Sequence, residues 1–309
     1  MSDRDSILAE LAAIPQLAKP FYLERTTADA FRLDHTLHDV LEAIARVGGR
    51  ITVPLGSSRD AYAEASAMAK RADAKIALRV SPFAGDNGQG DPRDTPTMDA
   101  RLRVFTAGMN LARSTIGDTS LIEAVLIDNE RFVWNDDAVW NAALDALHNR
   151  FYIASKTALP FAYVDQWERG SYQAQPTNEA NRWEQKRWYT GRERGDGYST
   201  THFCLPDQGS TRDELWTALS AEINVVLVMA WVALGTGTRP TFGGDATYDR
   251  AWNYDPAYAW HAGAWLANHP RVTRLGSIVQ PQEDWEHPFW RHLIAFLLGA
   301  SGIKREPAF

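Results

Sequence analysis

The chain has 309 residues, 45% hydrophobic and 23% charged, with a net charge of −7. That composition excludes a disordered chain, and the acidic balance argues against a nucleic-acid partner. A single cysteine, Cys204, excludes an intrachain disulfide, and a chain this long buries a large core without one.

Residues Met1–Lys19 read as a helical lead-in, polar and then amphipathic. They lack the basic start and unbroken apolar stretch of a signal peptide. The longest apolar run, Val225–Leu234, is too short to span a bilayer. The expectation is a soluble chain, cytoplasmic at synthesis, with no membrane partner.

Eight short runs rich in β-branched and aromatic residues then follow. They are Phe21–Arg25, Arg50–Gly56, Lys75–Phe83, Glu123–Phe132, Leu159–Gln166, Ser199–Leu205, Asn224–Leu234 and Arg274–Gln280. Continuous apolar runs of this length predict strands buried on both faces. Helical patterns lie between them. Leu37, Leu41, Ile44 and Val47 recur at helical spacing, and Gly48-Gly49 stops that helix. Ser57–Ala72 is alanine-rich, and Met98–Ala112 and Asp137–Ser155 are amphipathic. Thr211–Ala221 opens on a capping box at Ser210 or Thr211, and Tyr258–Asn268 and Phe289–Gly299 close the series.

Alternation of this kind suits an open doubly wound sheet or a closed barrel. Eight strand–helix pairs with a helix after the last strand predict the barrel: one (β/α)8 TIM-barrel domain over residues 1–309. Its long loops follow strands three (Ala84–Pro96), five (Trp167–Tyr198) and seven (Gly235–Pro256). Barrels build their sites from the loops at the strands' C-terminal ends, so these imply a groove for a sizeable ligand. The chain has 12 tryptophans. Many sit among polar residues, which suits a flat partner such as a sugar ring.

The candidate chemistry centres on Asp128-Asn129-Glu130, which follows the apolar Ala124–Ile127. Strand alternation puts Asp128 and Glu130 on one face at the strand's mouth. Two carboxylates this close do not both ionise freely in a partly dry site, so one becomes a general acid usable near neutral pH. Asp165 ends strand five with Tyr163 on the same face, and is the favoured second carboxylate. Arg79 is an arginine inside an apolar strand, costly to bury unpaired, and pairing with Asp128 would keep that acid ionised. Trp167, Trp231, Trp252 and Trp285 are candidate stacking platforms, with Asn129 and Gln280 as polar contacts.

Asp-x-Glu ending the fourth strand of such a barrel resembles the barrel-type glycoside hydrolases. Leu126-Ile127-Asp128-Asn129-Glu130 is similar to the motif of the barrel-fold muramidases and of the chitinase-like enzymes. Asn129-Glu130 also resembles the strand-four Asn-Glu of the large retaining-glycosidase clan. The resemblance implies Glu130 as the acid, with Asp128 modulating it or holding a substrate acetamido group. It implies a poly- or oligosaccharide substrate and hydrolysis of a glycosidic bond, without cofactor. A carboxylate gap of about 5 Å would give retention and about 6.5–9.5 Å inversion.

Two other readings stay open. Strand seven ends Ala230–Leu234 without the acid that the retaining clan carries there. That favours an inactive barrel serving as a carbohydrate-binding or structural component of an oligomer or larger assembly. Gly235-Thr-Gly-Thr beside Arg239 sits where barrels bind phosphate, which suits a phosphosugar lyase or isomerase. His35 with His38, and His202 with Cys204, read as structural, so no metal is expected.

Overall fold

The computed structural model describes residues 3–23, 37–80, 93–128, 138–159, 163–167, 200–204, 229–233, 256–268, 274–277, 285–286 and 289–302. Its strands are β1 (Phe21–Leu23), β2 (Gly49–Pro54), β3 (Ile76–Val80), β4 (Ile122–Asp128), β5 (Tyr163–Trp167), β6 (Thr200–Cys204), β7 (Met229–Ala233) and β8 (Arg274–Ser277). Its helices are α1 (Asp3–Ala12), α2 (His38–Arg46), α3 (Arg59–Ala72), α4 (Thr95–Ile116), α5 (Ala138–Ala158), α6 (Pro256–Asn268) and α7 (Phe289–Ala300). The expected helix over Thr211–Ala221 lies outside the described residues.

Local chemistry sets several of these boundaries. Gly48, at φ 113°, turns the chain from α2 into β2 in a region where a side chain is disfavoured. A Cβ on Gly49 would stand 2.5 Å from the Ile44 side chain, so only glycine fits there. Ser58 caps α3, its hydroxyl oxygen accepting from the Ala61 N–H at 3.1 Å. The alanines of α3 keep that helix thin: Ala61, Ala65, Ala69 and Ala72 are all buried.

All strand pairs are parallel, and the order is β5-β4-β3-β2-β1-β8-β7-β6. The expected closed (β/α)8 barrel is corrected here. Five consecutive strands, β1 to β5, form a curled half-barrel with α2 to α5 as its helices. β8, β7 and β6 extend the ladder from the other side of β1. Closure needs every strand to have two hydrogen-bonded neighbours at a consistent stagger. Among the described residues β5 and β6 are the two ends of the ladder, and no register joins them. The alternation of strands and helices fixed the α/β class; it carries no information on whether the last two edges meet.

The two faces of the sheet differ. Ile51, Val53, Ile76, Leu78 and Val125 pack into one core with helix residues such as Ile44, Tyr62, Met68, Met109 and Phe151. Phe21 meets Phe296 of α7 with ring centroids 5.7 Å apart. The other face is concave and carries Tyr22, Arg50, Thr52, Ala77, Arg79, Ala124 and Leu126 by register. Between α4 and α5, Phe105 packs edge-on against Phe151 at 5.1 Å. No described helix is long and apolar enough to cross a membrane.

Candidate active site

Parallel strands present their C-terminal ends on one side, and ligands of open α/β sheets bind outside those ends. β3, β4 and β5 bring candidate residues to that side in fixed register. Arg79 pairs with Pro54 on β2 and with Leu126 on β4, and Leu126 pairs in turn with Asp165 on β5. Two residues further along, Asp128 pairs with Trp167. Tyr163 stands opposite Ala124. Arg79, Asp128, Tyr163, Asp165 and Trp167 therefore share the concave face, in three successive rows. Arg79 stands in the row of Asp165, and Asp128 lies one row further along the adjacent strand.

Arg79 is half-buried, and its carbonyl accepts from the Leu55 N–H. Leu126, in the row of Arg79, is 2% exposed. An apolar, water-poor neighbour lowers the local dielectric and lengthens the reach of the charges beside it.

On the other arm of the sheet, Trp231 pairs with His202 on β6 and with Gly276 on β8, and Gly276 pairs with Tyr22. That register puts Trp231 on the concave face too. Trp285, beyond β8, is half-buried and stacks on the fully buried Trp290 at the start of α7, with centroids 5.2 Å apart and planes 26° off parallel. Trp290 braces the indole from behind. Asn129, Glu130, Trp252 and Gln280 lie outside the described residues, as do His35 and the Gly235–Thr238 segment. Among the described residues no three His, Cys, Asp or Glu side chains converge as a metal ion requires.

A second polar group was missed from the sequence. The register shifts between Ile76 and Ala77, which leaves Glu123 as an extra residue on β4. A bulge of this kind re-aims its side chain. Glu123 turns onto the concave face and meets three strands at once. The Tyr22 hydroxyl donates to Glu123 Oε1 at 3.0 Å, Arg50 Nε donates to Oε2, and Arg274 Nε stands 3.9 Å from Oε1. Burial, and then the Glu123 charge, push the Tyr22 phenol above its usual range and keep it protonated. The available signal was a charge at the first or second position of three apolar runs: Arg50, Glu123 and Arg274. This cluster sits at the N-terminal end of the sheet, away from the acids, where barrel-type proteins keep stabilising rather than catalytic residues.

Comparison with known proteins finds no family model and no curated protein that matches this chain.

Proposed function

We propose that the chain hydrolyses glycosidic bonds of a poly- or oligosaccharide on the concave face, at the C-terminal ends of β4 and β5. The observation that carries this reading is the register of the two acids. Asp128 and Asp165 stand on adjacent parallel strands, on one face, offset by two residues. Glycoside hydrolysis needs two carboxyl groups flanking one bond, one as acid and one as nucleophile or base. Glu130, two residues beyond Asp128, is the proposed general acid. Asp128 beside it keeps its proton on by like-charge repulsion, and Asp165 is the proposed second carboxylate.

The tryptophans support a carbohydrate as the ligand. A half-exposed indole braced by a buried one, as in Trp285 on Trp290, offers a rigid apolar plane to the face of a sugar ring. Trp167 and Trp231 are placed by register on the concave face, whereas Trp285 packs against the helix-side core. The reading is tested by incubating the protein with a panel of polysaccharides and peptidoglycan and measuring released reducing ends. Asp165→Asn and Glu130→Gln should each lower the rate by ~10²-fold or more. Full activity in both variants would remove this site from the reaction.

A further inference from the structure

α4 and α5 lie side by side on the helix-covered side of the sheet. Phe105 against Phe151 and Arg150 on Asp99 join them, so their outer faces form one surface. The outer stripe of α5 is apolar. Val139, Ala142, Ala146, Ile153 and Thr157 recur at helical spacing and are all exposed. Among the described residues of the stripe none is charged, whereas an ordinary surface helix carries its charges on that side. Leu147 and Phe151, on the opposite side of the helix, are in the core. Val139, at 67%, and Ile153, at 60%, are two of the three large exposed apolar residues among those described.

The stripe is symmetric. Val139 and Ile153 each stand seven residues from Ala146, which is about two helical turns. A second α5 laid antiparallel across it, with a two-fold axis at Ala146, sets Val139 opposite the partner's Ile153 and Ile153 opposite the partner's Val139. Small alanine is left at the crossing, where the two helices come closest. A two-fold interface must be self-complementary in this way. The ends of the helix match in charge. The same axis brings Lys156, in the last turn of α5, level with the start of the partner's helix, which Asp136 and Asp137 precede in sequence. It also lays α4 against its own copy through a face on which Pro96, Ala100, Val104 and Ala107 are exposed beside Arg103. Helices of 22 and 21 residues are ~30 Å long and, at ~10 Å spacing, present roughly 600 Å2. Two such faces together reach about 1,200 Å2, the lower bound of a specific interface.

We propose that this face is the interface of a homodimer, with α5 packed antiparallel on α5 of a second copy about a two-fold axis at Ala146. It lies away from the concave side and does not rest on the hydrolytic reading. The test is sedimentation equilibrium of the full chain between about 1 and 100 μM, with melting curves to confirm that each variant folds. Wild type should approach twice the 34.6 kDa chain mass as concentration rises. Ala146→Arg sets like charges against each other on the axis and should weaken association by ~10-fold or more. Ala63→Arg, at an exposed position of α3, should leave it unchanged. Val139→Glu and Ile153→Lys should each weaken the dimer, and the double variant should recover it, because the axis sets each new charge opposite its counter-charge in the other copy. If Ala146→Arg does not fold, this pair carries the test. Four results overturn the proposal: a wild type that stays monomeric at the highest concentration, a dimer indifferent to the substitutions on α5, equal weakening by Ala63→Arg, or weakened single variants with no recovery in the double.

Discussion

Glu123 is the residue on which Tyr22, Arg50 and Arg274 of three other strands converge. It is 20% exposed and sits against Arg50, at 19%, and Arg274, at 22%. Removing one partner of a largely buried ion pair leaves the others desolvated and uncompensated, which costs about 3–5 kcal/mol. Glu123→Ala should therefore lower stability by about 3 kcal/mol in urea unfolding, the low end because the cluster keeps some water. Tyr22 adds a pH dependence. Its phenol is raised in the folded chain, so the unfolded state loses that proton first as pH rises. The contribution is complete below the unfolded value near 10 and is lost progressively above it. Tyr22→Phe should remove this alkaline loss while weakening the fold at pH 7 by ~1 kcal/mol for the missing hydrogen bond. Melting curves at pH 7 and pH 11 on both proteins check it; equal alkaline loss in the two would assign the titration elsewhere. The sequence could flag a charge inside three apolar runs. It could not show that a one-residue shift in β4 would bring Glu123 to them, because a bulge leaves no period to read.

At the scale of the element, the crossing of α6 and α7 is the least tolerant feature. A Cβ on Gly299 would stand 2.0 Å from the Trp260 carbonyl oxygen, and one on Gly263 would stand 2.1 Å from that of Phe296. The two helices meet backbone to backbone through reciprocal glycines, so the obstacle is not a side chain that can swing away. Gly299→Ala must push the helices apart and should destabilise by about 3 kcal/mol, the upper range of overpacking. A thermal melt unchanged from wild type would show that the crossing gives way freely. Ser58→Ala should cost the smaller ~1 kcal/mol of a lost N-cap. Helices were well marked in the sequence. The 3.6-residue spacing of Leu41, Ile44 and Val47 and the glycine pair after them placed α2 within a residue of its ends. The closeness of α6 to α7 was not, since a glycine inside a helical pattern looks the same whether it weakens the helix or admits a neighbour. Strand cores were also legible: β2 and β4 lie within the expected Arg50–Gly56 and Glu123–Phe132 runs except for one residue at each start.

For the whole molecule, curvature links fold to chemistry. The sheet's convex face is apolar and covered by helices, and its concave face collects the charges. Parallel order followed from the alternation of runs. Closure did not follow, because it depends on whether β5 and β6 share a register, and a short apolar run specifies a strand without specifying its neighbour. The central claim is hydrolysis at this face, and it meets its most direct test in one comparison. Wild type and Glu130→Gln are incubated with the same polysaccharide and peptidoglycan panel, and reducing ends and melting temperature are measured together. The account predicts release from at least one substrate by wild type, a loss of ~10²-fold or more in Glu130→Gln, and a melting temperature that is unchanged or higher. Absence of release from every substrate, or equal release by both proteins, would contradict it.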